Sequence, residues 1–312
     1  MSVIIINTGM RTDIPAFYSR WFMNRLRAGF VLVRNPYRPD WITRYELDPE
    51  VVDCIVFCTK NPAPMLQYMN ELNAFHQYWF VTITPYGRET EPNVPPKETV
   101  MQDFIRLSEA VGSECTGWRY DPIFIDSTYT VERHIADFTQ MCRMLSGYTT
   151  VCVISFIDLY EKVWRNFPQV RIVTQQERLT IGRAFAEIGS QYGITVKACA
   201  EGTELAQFGV DCSGCMTQQT FETAIGGRLD IPKGKPQRAE CACILGSDIG
   251  AYDTCGHFCR YCYANSDHEK VRRNMQLHDP ESPLLIGTLR EGEIIHPAKQ
   301  TSWLDGQLTL FQ

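Results

Sequence analysis

The chain alternates short apolar runs with longer segments in which apolar residues recur every three or four positions. The short runs are rich in β-branched and aromatic residues. They predict strands at residues 3–7, 30–34, 54–59, 79–84, 114–120, 151–155 and 195–199. The helical period predicts helices at 15–28, 62–75, 97–111, 131–145 and 174–192. Several of these open on a proline or a capping residue, where the first backbone N–H groups have no helical partner. Strand-then-helix repetition implies a parallel sheet covered by helices, because parallel neighbours need a long crossover. About six such repeats favour a closed or partial TIM-like (β/α) barrel over a flat doubly wound sheet.

The pattern changes after Glu201. From there the sequence is rich in Gly, Cys, Pro and charge, with weak periodicity. The expected division is a (β/α) barrel domain over 1–200 and a cysteine-rich segment over 201–312. The second part lacks the apolar mass for a core of its own, and metal ligation is the usual remedy.

Composition narrows the class. Of 312 residues, 44% are hydrophobic and 21% charged, as in a globular protein. Lys and Arg total 30 against 36 Asp and Glu, so the net charge of -6 gives no footprint for non-specific nucleic-acid binding. No apolar stretch is long enough to span a bilayer, and Val3 to Ile6 is too short for a signal-peptide core. A cytoplasmic protein is expected. In a reducing compartment, thirteen cysteines point to metal ligands or catalytic groups rather than disulfides. Five of them (Cys54, Cys58, Cys115, Cys142 and Cys152) are scattered, mostly in apolar runs, and read as small buried hydrophobes.

The strongest chemical signal is Thr254-Cys255-Gly256-His257-Phe258-Cys259-Arg260-Tyr261-Cys262-Tyr263-Ala264-Asn265. Three thiolates spaced x3 then x2 can wrap one face of a four-iron four-sulfur cluster and leave one iron without a protein ligand, whereas a closed electron-transfer site takes a fourth cysteine. Zinc also uses cysteines two apart, but x3-then-x2 is awkward for a tetrahedral knuckle. Cys-x3-Cys-x2-Cys with an aromatic before the last cysteine resembles the signature of radical S-adenosylmethionine enzymes. That resemblance implies Cys255, Cys259 and Cys262 as cluster ligands and Tyr261 as the aromatic beside the cofactor. It also implies S-adenosylmethionine chelated at the open iron, an electron donor such as flavodoxin or ferredoxin, and hydrogen abstraction from a substrate. The triad departs from that superfamily in place, since there it usually follows the first barrel strand.

Over nearly its whole length the chain also resembles a bacterial and archaeal family, domain of unknown function 1848. The marks are Arg11-Thr12-Asp13-Ile14-Pro15-Ala16-Phe17, Thr59-Lys60-Asn61-Pro62, Trp118-Arg119-Tyr120-Asp121-Pro122, Ser155-Phe156, Cys199-Ala200-Glu201 and Asp248-Ile249-Gly250-Ala251-Tyr252. That family implies no substrate.

Arg11, Asp13, Thr59, Lys60, Asn61, Thr84, Arg119, Asp121, Ser155 and Glu201 each fall at or just past a predicted strand end. In parallel barrels that rim carries the active site. Polar groups there can hold a cofactor carboxylate or ribose hydroxyls, or can pair with one another to stabilise the rim. For the triad to serve this rim, the C-terminal segment must dock at the barrel mouth.

A second set, Cys199, Cys212, Cys215, Cys241 and Cys243, has separations that match no standard zinc finger. It can supply an auxiliary iron–sulfur cluster, a structural zinc, or free thiols. A non-catalytic iron–sulfur electron carrier and a zinc-stabilised binding module are the competing functions. The polar rim favours an enzyme. Finally, Gln307-Leu308-Thr309-Leu310-Phe311 resembles the peptides by which bacterial DNA-processing proteins bind the sliding clamp, which would imply a nucleic-acid substrate. Packing of this strip on its own barrel is the plainer expectation.

Overall fold

The computed structural model describes residues 5–231, 243–244 and 246–304. Cys241 and the strip 307–311 lie outside them. The strands are β1 (Ile5–Asn7), β2 (Phe30–Arg34), β3 (Trp41–Glu46), β4 (Cys54–Thr59), β5 (Gln77–Thr82), β6 (Thr116–Ile123), β7 (Val151–Phe156), β8 (Thr195–Ala198), β9 (Ser247–Asp248) and β10 (Ile294–Pro297). The helices are α1 (Ile14–Phe17), α2 (Ser19–Ala28), α3 (Ala63–Leu66), α4 (Met69–Leu72), α5 (Lys97–Val111), α6 (Val131–Leu145), α7 (Glu161–Asn166), α8 (Gln175–Gln191), α9 (Gln218–Ile225) and α10 (His268–Gln276).

The fold is mixed α/β, built on a seven-stranded sheet in the order β8-β7-β6-β5-β4-β1-β9, with every pair parallel. From β4 to β8, strands adjacent in the chain are adjacent in space, as helical crossovers dictate. Of the closed or partial barrel expected, the closed form is not seen among the described residues. The sheet ends at β8 on one side and β9 on the other. Beyond β8, among the described residues, only a single bridge, Lys197 to Asp211, continues the pairing. The chain then lays α9 across one sheet face instead of adding strands that would close a ring.

Local chemistry explains most boundaries. Thr174 and Glu177 form a reciprocal capping box at α8, and the Thr130 hydroxyl accepts from the Arg133 N–H to start α6. The segment expected as one helix over 15–28 splits at Tyr18, whose φ of -133° leaves the helical region. The helix expected over 62–75 reduces to the single turns α3 and α4. The run 30–34 is a strand but not part of the main sheet. It pairs antiparallel with β3, and β10 adds parallel to β3.

Strand alternation divides the interior. One face buries Ile55, Phe57, Trp79, Val81, Trp118 and Cys152 under the covering helices, with Phe57 stacked on Trp79 at 3.9 Å and Phe138 on Phe185 at 3.8 Å. The other face buries Ile5, Cys54, Val56, Tyr78, Phe80 and Val153 against Phe221 and Ile225 of α9. Ile249, Cys259, Tyr261 and Leu285 belong to the first cluster, so the C-terminal segment shares the core of the preceding sheet.

The return of the chain to β1 needs a glycine at 246, where a Cβ would stand 2.0 Å from the Ile5 carbonyl oxygen. Farther on, the fully buried Trp21 of α2 donates its indole N–H to the Ser282 carbonyl at 2.8 Å. Trp21→Ala should cost about 3–5 kcal/mol, by cavity formation and an unpaired carbonyl, read as a lower urea midpoint.

Candidate functional site

The loop after β1 is the junction of the site. Asp13 caps α1, its Oδ1 accepting from the Ala16 N–H at 3.0 Å. Its Oδ2 accepts from the Lys60 N–H at 2.7 Å and meets Nε2 of the buried His257 at 2.8 Å. One buried carboxylate thus joins the loop after β1, the loop after β4 and the loop that carries the cysteine triad. Asp248 of β9 acts in parallel. It accepts from the Met10 N–H at 2.7 Å, Arg11 Nε at 2.8 Å and the Gly250 N–H at 2.9 Å.

The triad loop is fixed from several directions. The Tyr18 hydroxyl donates to the Thr254 carbonyl at 2.7 Å, Asn265 Nδ2 to the Cys255 carbonyl at 2.8 Å and Asn93 Nδ2 to the Gly256 carbonyl at 2.8 Å. The Arg260 N–H donates to the Thr90 carbonyl at 3.0 Å. Within this frame Asp253 and Phe258 both hold φ at 57°. For a bulky residue such as Phe258, that left-handed conformation costs on the order of 1–3 kcal/mol, which the surrounding bonds must offset.

The three thiols gather in this loop. Burial pushes each of them up, and the neighbouring Cys262 and Cys259 raise Cys255 further. Opposing this are the His257 N–H at Cys255, the Ala264 and Asn265 N–H groups at Cys262, and the Lys60 charge acting on Cys259 and Cys262. Among the described residues, no three His, Cys, Asp or Glu side chains are already spread as a cage for a metal ion. Three cysteine sulfurs in one loop, Cys259 buried and Cys255 and Cys262 half-buried, are donors of the type that thiolate-ligated clusters use.

Lys60 lies at the centre of a buried network. Its Nζ donates to Glu91 Oε1 at 2.9 Å, and Thr84 Oγ1 donates to the same oxygen at 2.9 Å. The Tyr261 hydroxyl donates there as well, and the Tyr261 ring centroid lies 5.5 Å from Lys60 Nζ. Burial works against the Lys60 charge, but Glu91 and Cys259 prevail and raise its pKa.

The second cysteine set is only partly gathered. Cys215 Sγ lies 3.6 Å from Cys199 Sγ and 3.4 Å from Cys243 Sγ. Cys212 stands apart, directed at the Val210 carbonyl. Arg119 Nη1 donates to Cys215 Sγ at 3.5 Å, and Arg119 Nη2 donates to Asp121 Oδ2 at 2.6 Å. Ser155 Oγ reaches the same Asp121 oxygen at 3.4 Å.

Other rim residues are engaged locally. Thr59 Oγ1 accepts from the Asn61 N–H at 2.9 Å, and Asn61 Oδ1 accepts from the Ala63 N–H at 3.3 Å to start α3. Glu201 accepts from the Phe156 N–H at 2.7 Å and pairs with Arg178. Sequence reasoning missed Glu91, Asn93 and the clamp role of Asp248. The first two lie in a proline-containing loop with no periodicity to mark them, and Asp248 sits on a two-residue strand. A cavity of about 760 Å³ opens beside the triad, with Arg11, Tyr37, Lys162, Tyr252, Thr254 and Tyr263 among its lining.

Two measurements test this electrostatics. Glu91→Leu leaves the Lys60 ammonium buried and unpaired, and should cost about 3–5 kcal/mol in urea unfolding. Adding Lys60→Met should recover most of that loss. Burial pushes the Glu201 carboxyl up to about 7, despite the opposing Phe156 N–H and Arg178. Its folded pKa therefore exceeds the unfolded one, so folding takes up a proton between the two. Relative to Glu201→Gln, the native chain should lose stability as pH rises from about 4.3 to about 7, and stay level above.

No curated protein matches the chain. The model of a family described as a domain of unknown function, DUF1848, matches residues 5–264. That match spans the parallel sheet, the rim residues and the complete triad loop, and the chain therefore belongs to the DUF1848 family.

Proposed function

We propose that this protein is a radical S-adenosylmethionine-type enzyme, with a four-iron four-sulfur cluster on Cys255, Cys259 and Cys262. The observation that carries the proposal is one loop holding three thiols spaced x3 then x2, Cys259 buried and Cys255 and Cys262 half-buried, docked on the core of a parallel sheet. The open, singly wound sheet is read as a partial (β/α) barrel, with the triad loop docked over its mouth.

A cluster held by Cys255, Cys259 and Cys262 would supply one-electron chemistry: reductive carbon–sulfur cleavage of S-adenosylmethionine coupled to hydrogen-atom abstraction from substrate. The electron comes from a small reductant such as flavodoxin or ferredoxin. The chain's own residues hold the parts in place. The N–H groups of His257, Ala264 and Asn265 support the cysteine sulfurs, and Lys60 offsets their charge. Tyr261 is held by its bond to Glu91, which orients the ring at the position that the signature assigns to the cofactor.

Among the rim residues, Lys60, Arg119, Asp121 and Ser155 are assigned to direct contact with S-adenosylmethionine. Lys60 follows the end of β4, Arg119 and Asp121 lie on β6, and Ser155 near the end of β7 meets Asp121. Arg11, Asp13, Thr59, Asn61 and Glu201 act through the loops they fasten. The cavity beside Tyr263 and Thr254 is the route by which substrate reaches the cluster, and no feature selects that substrate.

Anaerobic reconstitution, dithionite reduction and a search for 5′-deoxyadenosine test the proposal. The expected result is a brown protein that forms deoxyadenosine. Replacing Cys255, Cys259 and Cys262 together by alanine should remove about four iron atoms and abolish the product. Iron without deoxyadenosine would favour the electron carrier instead. Zinc without iron would favour the binding module.

A further inference from the structure

The geometry points to a mononuclear, thiolate-ligated zinc site at Cys199, Cys215 and Cys243, separate from the triad. The alternative for these cysteines is a second iron–sulfur cluster. Sulfur spacing distinguishes the two. Two thiolates on one tetrahedral ion, with zinc–sulfur bonds of about 2.3 Å, stand about 3.8 Å apart. In a four-iron cluster each thiolate takes its own iron, and the body of the cluster keeps the sulfurs out of contact. The distances here are 3.6 Å from Cys199 to Cys215 and 3.4 Å from Cys215 to Cys243. The sulfurs are closed on one another rather than spread, and they need to move apart by only a few tenths of an ångström to ligate a single ion.

A further observation supports an ion at these sulfurs. Donors converge on the sulfurs: the Cys215 and Met216 N–H groups reach Cys243 Sγ at 3.3 and 3.4 Å, and Arg119 Nη1 reaches Cys215 Sγ at 3.5 Å. Such N–H···S bonds are what supports the charge of a thiolate ligand.

Thiolates bind zinc strongly, and its binding releases the thiol protons to solvent. Three protein ligands leave a fourth position for water or another group, as in zinc sites that act on substrates. Cys212, turned toward the Val210 carbonyl, is not a ligand.

The test uses the full-length protein with Cys255, Cys259 and Cys262 replaced by alanine, so that the triad contributes no metal. Zinc, iron and acid-labile sulfide are measured after purification. The expected result is about one zinc per chain and no sulfide, lost on adding Cys215→Ala and kept on adding Cys212→Ala. Iron with sulfide in the same variant, or no metal at all, overturns the inference. Should the variant not fold, zinc-edge absorption on the native chain serves instead. A sulfur shell at about 2.3 Å supports the site, and its absence rejects it. This reading is independent of deoxyadenosine formation, so either can fail without the other.

Discussion

The arrangement depends on the Asp13 carboxylate. A charge buried this deeply is costly unless it is hydrogen-bonded, and here it caps a helix, accepts a backbone N–H from the loop after β4 and meets His257 of the triad loop. Those three partners come from positions 16, 60 and 257, so a single side chain sets the distance between the first strand, its neighbour and a loop more than two hundred residues away. Asp248 repeats the device on the adjoining strand, using Met10, Arg11 and Gly250. The loop that carries Cys255, Cys259 and Cys262 is thereby held against the sheet by polar bonds whose loss would leave buried charge behind.

The sheet separates the two cysteine groups. The triad loop contributes Cys259 and Tyr261 to the core that the helices cover, and Cys215, Cys199 and Cys243 lie with α9 on the opposite face. Arg119 and Asp121 alternate inward on β6 at the level where the strands end, and connect the second group to the rim. The electrostatics follow from this layout. Burial suppresses thiolate character throughout the triad, and Lys60 and Arg119 are the cations placed to oppose it at each group. Neither cation is free, since Glu91 holds the first and Asp121 the second, so each is fixed in direction as well as in charge.

Much of the sheet was legible because its strands obey simple rules. The segment Cys54–Thr59 is apolar up to its last residue, the helices Lys97–Val111 and Val131–Leu145 keep a clear period, and the second opens on the Thr130 cap; all three have the predicted bounds. Strand β3 was missed because Trp41-Ile42-Thr43-Arg44-Tyr45-Glu46 is polar at half its positions and borrows its stability from β2 and β10. The same dependence hid β9, which is two residues long and exists only because β1 offers an edge.

By itself the sequence determined the α/β class, the parallel order implied by strand–helix repetition, and the residue types and spacing of the triad, since these are local properties. Only the tertiary structure decided that the sheet stays open, that Lys60 faces Glu91, and that Asp13 meets His257. It also separated Cys212 from Cys199, Cys215 and Cys243, which look equivalent in the sequence. The reason is physical. A strand or a helix turn is fixed by bonds between near neighbours. A buried charge or a thiol finds its partner only after distant segments have packed, and no period along the chain encodes that meeting.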